Sequence, residues 1–167
     1  MSIRAVAGDE LNAADLYLIW GIRDSVFAFE QHVEDVDVDG LDLRSDTVHL
    51  WLCDDAGLTS YLRILGHGEG HQVGRVCTRT DVRGRGLSGR LMAEVSARFG
   101  SAPLALNAQA YLEKWYANIG YVRTGPNFDE AGIDHVPMER APNEDRARAQ
   151  SGVQAQPIRD GVEQRLP

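Results

Sequence analysis

The sequence predicts an α/β domain built on a mixed sheet of six or seven strands with helices on both faces. Three observations carry that reading. An amphipathic stretch near the N-terminus is followed by two alternating strand segments around a tight turn. Helical and strand segments then alternate to residue 140, and one strand passes into a helix through a basic, glycine-rich turn.

Residues 15–31 read as the first helix, because Leu16, Ile19, Trp20, Arg23, Phe27 and Glu30 fall on one stripe at helical spacing. Arg23 and Glu30 are the polar intruders on it. Residues 48–53 (VHLWLC) and 58–65 (LTSYLRIL) read as antiparallel strands joined at Asp54-Asp55-Ala56-Gly57. Residues 72–78 form a third strand after a turn, HGEG, and residues 87–99 a helix with Leu87, Leu91, Val95 and Phe99 four apart. A short strand at 104–107 precedes a helix at 110–119, which Gly120 ends as a left-handed cap. Residues 121–123 and 135–140 read as a hairpin with a long loop.

A chain of 167 residues, 43% hydrophobic, fits one domain. The expected division is a folded domain over 1–140 and a disordered tail over 141–167. The tail has no aromatic residue and no apolar periodicity, and its charges balance. Cys53 and Cys77 are read as small apolar residues of a reducing compartment. No stretch suits a signal peptide or a membrane span, so the protein is expected in the cytoplasm and away from membranes. With 17 basic and 25 acidic residues the net charge is −8, which argues against nucleic acid and for cationic partners.

The chemistry begins at RVCTRTDVRGRGLSGRLM, where a strand runs into a helix through a turn. Main-chain N–H groups at the start of a helix lack internal partners, and the helix dipole favours an anion there. Arg83, Gly84, Arg85, Gly86, Leu87, Ser88 and Gly89 are therefore candidate ligands of a phosphate or diphosphate. The Gly-Lys-Ser/Thr ending of a nucleoside-triphosphate loop is missing. A dinucleotide-binding unit would place the glycine pattern after the first parallel strand, whereas here it follows an antiparallel hairpin.

Arg83-Gly84-Arg85-Gly86-Leu87-Ser88, followed by Asn107 and then WYANIGY, resembles the acetyl-coenzyme A loop and the later motif of the Gcn5-related N-acetyltransferases, the GNAT family. Ser88 departs from the family's final Gly or Ala. RDSVFAFEQ and DVDGLDL, with matches around Arg63, Arg75 and His135, are similar to the family's ElaA-like branch. The resemblance covers most of residues 10–140. It implies a GNAT fold whose central parallel strands splay apart, with acetyl-CoA as co-substrate lying in the gap against Val76, Cys77 and Thr78 and near Asn107. It implies N-acetyl transfer to a primary amine on a small molecule or peptide, with Tyr116 as the general acid. Glu30, His135 and His49 are candidates for the base. A homodimer is a further candidate assembly. Alternatives from the same residues are a CoA-binding or sensing module without turnover and an acyl-homoserine-lactone-synthase-like acyltransferase. In the second, Arg23, Phe27, Asp39, Asp42 and Arg63 would be the matched positions, and these five are the candidate acceptor-side substrate residues.

The acidic segment EDVDVDGLDLRSD spaces carboxylates like a calcium-binding loop, with Asp35, Asp37, Asp39 and Asp46 around Gly40. Its twelfth position lacks the bidentate Glu, and the residues after it alternate like a strand, so no metal is expected there. HGEGH offers no third ligand either. Arg23 points inward on its stripe and needs a carboxylate partner, for which Asp39 and Asp42 are the candidates. Such a pair would clamp the acidic loop over the mouth of the cleft, leaving the other acids to favour a cationic amine.

Overall fold

The computed structural model describes residues 2–143. The expected disordered tail falls mainly on residues 144–167, which lie outside the described residues. Residues 141–143 continue from the last strand, and the Asn143 amide donates to the carbonyl of Gly100.

Eight strands form one mixed sheet: β1 (Ile3–Ala7), β2 (Thr47–Asp54), β3 (Gly57–His67), β4 (Gly70–Thr78), β5 (Leu104–Gln109), β6 (Val122–Arg123), β7 (Phe128–Glu130) and β8 (Ile133–Arg140). The order is β1-β2-β3-β4-β5-β8-β6, with β7 paired to β8 outside that path. All neighbours are antiparallel except β4 and β5. The sheet therefore exceeds the expected six or seven strands. β1 is too short and too weakly alternating to stand out in the sequence, and it forms because β2 offers it an edge.

Alternation along the strands sends side chains to two cores. Leu50, Leu52, Leu62, Ile64 and Val73 pack with Leu91 and Val95 of helix α2 (Leu87–Phe99). Trp51, Tyr61 and Cys77 pack on the other face with Ile19, Ile22 and Val26. Ile19 and Ile22 belong to helix α1 (Ala13–Arg23), whose start is capped by Asn12 Oδ1 accepting from the Asp15 amide at 2.9 Å. The chain continues from α1 into a π-helical segment, Asp24–Glu30, and the expected single helix thus changes its winding halfway. The wider turn lets the Gln31 amide reach back five residues to the Val26 carbonyl at 3.0 Å. Helix α3 (Glu113–Ala117) is shorter than expected, because residues 110–112 wind as a tighter 3-10 turn.

Two local features shape the centre of the sheet. β4 carries a bulge: Tyr61 faces Cys77 but Arg63 faces Gly74, so Arg75 and Val76 together oppose Leu62, and Arg75 takes a left-handed φ of 53°. β4 and β5 pair only from His71–Leu104 to Val73–Leu106. Beyond those residues the two parallel strands part, which opens the sheet between its two halves.

Candidate active site

A cleft of about 1050 Å³ lies in this opening. Val76, Cys77 and Thr78 form one wall and Leu106, Asn107 and Gln109 the other. Arg83, Gly84, Gly86, Leu87, Ser88 and Gly89 line one end, while Arg63, Leu65, His67 and Arg75 line the opposite arm. The gap exists because no backbone hydrogen bond joins the strands past Val73 and Leu106, and polar backbone groups there can accept a ligand in place of a strand.

The glycine-rich end has the backbone geometry that an anion site requires. Gly84 and Gly86 hold left-handed φ values of 75° and 72°, a conformation glycine adopts freely, and Gly86 is the N-cap residue immediately before α2. Among the described residues the amides from Gly84 to Gly89 have no backbone acceptor. A Cβ at Gly84, Gly86 or Gly89 would meet no atom within 4 Å. These amides accordingly line an open concavity at a helix N-terminus, a fit for diphosphate oxygens. Arg85 also sits on this turn, exposed to solvent. Ser88, which departs from the family pattern, is tied to the end of β4: its hydroxyl meets that of Thr78 at 2.7 Å, and Thr78 meets that of Ser60 at 2.9 Å. The serine thus fastens helix to strand, a role its motif position alone did not suggest.

Cys77 turns its side chain away from the cleft into the α1 core, and burial pushes its thiol well above the ordinary range. Only its backbone serves the wall. Tyr116 is 4% exposed, packs edge-on against Trp115 and Tyr121, and lines the cleft. Burial raises its pKa, so the phenol stays protonated. No described residue hydrogen-bonds its hydroxyl. Asn107 stands just past the last β4–β5 pair and donates to Glu130 at 3.3 Å.

The three candidate bases part company. His49 is fully buried, with Nε2 2.8 Å from the Asp42 carbonyl and Nδ1 2.7 Å from the Tyr61 hydroxyl, so both ring nitrogens are engaged away from the cleft. Glu30 accepts two hydrogen bonds from Arg83, at 2.6 and 2.7 Å, and one from the Thr80 hydroxyl at 3.0 Å. The Arg83 guanidinium, foremost, holds its carboxyl below the usual range. His135 lines the cleft and its Nδ1 lies 2.8 Å from the Ile133 carbonyl. A carbonyl only accepts, so Nδ1 donates to it, and in the neutral ring that tautomer puts the lone pair on Nε2.

Behind the opposite arm, the acidic loop is held by three arginines. Arg23, 0% exposed, donates to Asp42 and to Asp37 at 2.7 Å each, and to the Asp37 carbonyl at 2.7 Å. Arg63 donates to Asp42 at 2.7 Å and to both oxygens of Asp39. Arg75 pairs with Asp37 at 2.7 Å. Trp20 Nε1 reaches the second Asp42 oxygen at 3.2 Å. Of the two partners expected for Arg23, Asp42 is the one it takes; Asp39 goes to Arg63, and Asp37 joins unforeseen. Gly8 lets β1 close on this loop, since a Cβ there would collide with the carbonyls of Asp42 and Arg44.

This placement corrects part of the acceptor-side reading. Arg23 and Asp42 are buried, at 0% and 3% exposed, and neither lines the cleft, so their side chains are turned to each other and away from an acceptor there. Asp39 faces Arg63. Phe27 and Arg63 do reach the cleft, together with Asp35 and Asp37. Sequence reasoning also missed the bridge from Gln109 Nε2 to Gln31 Oε1, 3.0 Å across 78 residues, which ties the end of the first helix to β5 over the cleft. Among the described residues no cluster of His, Cys, Asp and Glu suits a metal, and no helix is long and apolar enough to cross a membrane.

Comparison with known proteins bears on this site. Residues 24–142 match the family model of an acetyltransferase (GNAT) domain. A UPF0039 protein of Mycobacterium tuberculosis is 41% identical over 83% of this chain and 92% of its own length. Protein ElaA of Escherichia coli is 31% identical over 78% of this chain and 90% of its own. Among solved structures, an acyl-CoA N-acyltransferase from Pseudomonas aeruginosa is similar with a TM-score of 0.79 and 33% identity, covering 84% of this chain and 99% of that one. The E. coli ElaA structure follows with a TM-score of 0.77 and 29% identity, over 83% and 98%. An acyl-homoserine lactone synthase, BjaI, shares the fold at a TM-score of 0.70 and 18% identity, over 97% and 94%.

Proposed function

This chain belongs to the GNAT acetyltransferase family, within an ElaA-like branch, and from that premise we propose that it transfers an acetyl group from acetyl-CoA to a cationic primary amine on a small molecule or peptide. One observation supports the reading above others. The gap between β4 and β5 leads from the unpaired amides of Gly84–Gly89 to Tyr116 and His135, so one elongated ligand anchored by its diphosphate would lay a thioester beside both side chains. The solved relative described as an acyl-CoA N-acyltransferase agrees with it.

The coenzyme supplies an activated acyl thioester. Backbone groups of Val76 to Thr78 hold the pantetheine arm as a neighbouring strand would, and an amide there polarises the thioester carbonyl. The acceptor ammonium first gives one proton to water; its neutral nitrogen then bonds to the acyl carbon and the carbon–sulfur bond breaks. The nitrogen's proton passes to His135 Nε2, directly or through water, and the Tyr116 hydroxyl donates to the departing sulfur. The site contributes mostly position and a few well-aimed hydrogen bonds.

The charge balance of the cleft favours a cationic acceptor. Arg44, Arg63, Arg75 and Arg83 all line it, and each is paired with a carboxylate. Asp35 and Glu130 line it with no basic partner among the described residues. The test is a screen of amines scored by gain of one acetyl group in the mass spectrum and by thiol release. Acetylation confined to cationic amines is expected. Equal turnover of anionic amines would overturn the acceptor class, and CoA binding without any product would indicate a coenzyme-binding module.

A further inference from the structure

The loop that carries the diphosphate in the reading above, on which this inference rests, already holds an anion of the protein's own. Arg83 is fixed at its base by Nε donating to the Thr78 carbonyl at 3.0 Å, at the end of β4. Both its terminal nitrogens then turn to one carboxylate, Glu30, at 2.6 and 2.7 Å, and Thr80 adds a third hydrogen bond to it. A guanidinium fork grips a carboxylate and a phosphate by the same two-point geometry, so Glu30 occupies Arg83 in the manner of a phosphate.

The arrangement is suited to exchange. The Arg83 and Glu30 side chains are 41% and 36% exposed, and an ion pair so open to water is weakly held. Arg83 lines the cleft whereas Glu30 does not, so the guanidinium sits between the ligand space and its resident partner. The two residues come from different elements, the π-helical end and the turn before α2, and parting them breaks no backbone hydrogen bond. An incoming diphosphate has more charge than the carboxylate and meets the free amides of Gly84–Gly89 as well.

We propose that Glu30 is a resident counter-anion that the diphosphate of the coenzyme displaces from Arg83, so that Glu30 sets coenzyme affinity and release and moves no proton in the reaction. It is a positioning residue acting through Arg83. Its presence weakens binding of both acyl-CoA and product CoA, which speeds the exit of the product.

The test is calorimetric titration of the full-length protein, its Glu30→Gln and Glu30→Ala variants, and Arg83→Gln alone and combined with Glu30→Ala, with CoA and with inorganic pyrophosphate as probes. Both Glu30 variants are expected to bind CoA about fivefold tighter, the scale set by loss of an exposed competing ion pair. Arg83→Gln in the Glu30→Ala background should erase that gain. With an acceptor in hand, KM for acyl-CoA should fall in the Glu30 variants while the pH–rate profile keeps its shape. Unchanged or weaker CoA binding in both folded Glu30 variants would overturn the counter-anion role, as would loss of one limb of the pH–rate profile. Wild-type protein that binds no CoA would sink the acyl-CoA reading itself, and this inference with it. Wild-type binding with unaltered Glu30 variants would sink the inference alone.

Discussion

Arg23 and Asp42 meet 2.7 Å apart in the interior, the guanidinium fully buried and the carboxylate 3% exposed. One residue comes from the end of α1 and the other from the acidic loop, so this contact is the most deeply buried of those that fix the loop to the domain. Breaking a buried pair by removing one partner leaves an uncompensated charge, which costs about 3–5 kcal/mol. Arg23→Met is therefore expected to unfold at markedly lower urea concentration than the wild type. Arg23→Met with Asp42→Leu should recover part of the loss, and a single variant of wild-type stability would contradict the clamp.

Acid should loosen the same network. Burial works to raise the Asp42 pKa, but hydrogen bonds from Arg63 and Arg23 outweigh it and hold it below the usual range. Arg63, foremost, depresses Asp39 as well. A carboxylate whose folded pKa lies below its unfolded one stabilises the fold above the unfolded value, about 4, and that contribution is lost as pH falls through the folded value. His49, lowered chiefly by burial, adds a loss that begins below about pH 6.5, where the unfolded imidazole takes up a proton. Melting temperature should fall from pH 6 downward and more steeply below pH 4. Asp39→Asn should flatten the lower limb, and an unaltered slope would argue against the network's role.

Gly86→Asp is expected to abolish CoA binding, because it sets a negative charge where the helix N-terminus presents its amides. The left-handed φ of 72° is one that Asp and Asn tolerate better than other side chains, so Gly86→Asn controls for backbone strain. Retained CoA affinity in the aspartate variant would remove the phosphate-loop assignment.

Tyr116→Phe should slow turnover by about a hundredfold, the lower end for general acid catalysis, with CoA affinity close to wild type. The substitution keeps the ring that packs against Trp115 and Tyr121. His135→Gln should lower kcat with CoA affinity close to wild type. Full activity in either variant, measured by thiol release, would reassign its role.

Much of this molecule could be read along the chain because its signals are local. The strand, glycine-rich turn and helix over residues 72–99 follow from alternation, from two glycines in positive-φ positions and from apolar spacing, each confined to a few neighbouring residues. The acidic loop's need for an arginine was legible too, since Arg23 interrupts an apolar stripe. Partner choice was not legible. Asp39 lies as near to Arg23 in sequence as Asp42 does, and only the register of β2 on β3, which sets His49 opposite Arg63, together with the loop folding back over them, decides which carboxylate meets which guanidinium. The cleft is likewise a tertiary fact. It opens because β5 leaves β4 after Val73 and Leu106, past which the bulge at Arg75 bends β4, a geometry that no residue's own preference specifies. Glu30 reaches Arg83 and Gln31 reaches Gln109 across 53 and 78 residues for the same reason: such pairs depend on where whole elements come to rest, whereas periodicity records only which face of each element is apolar.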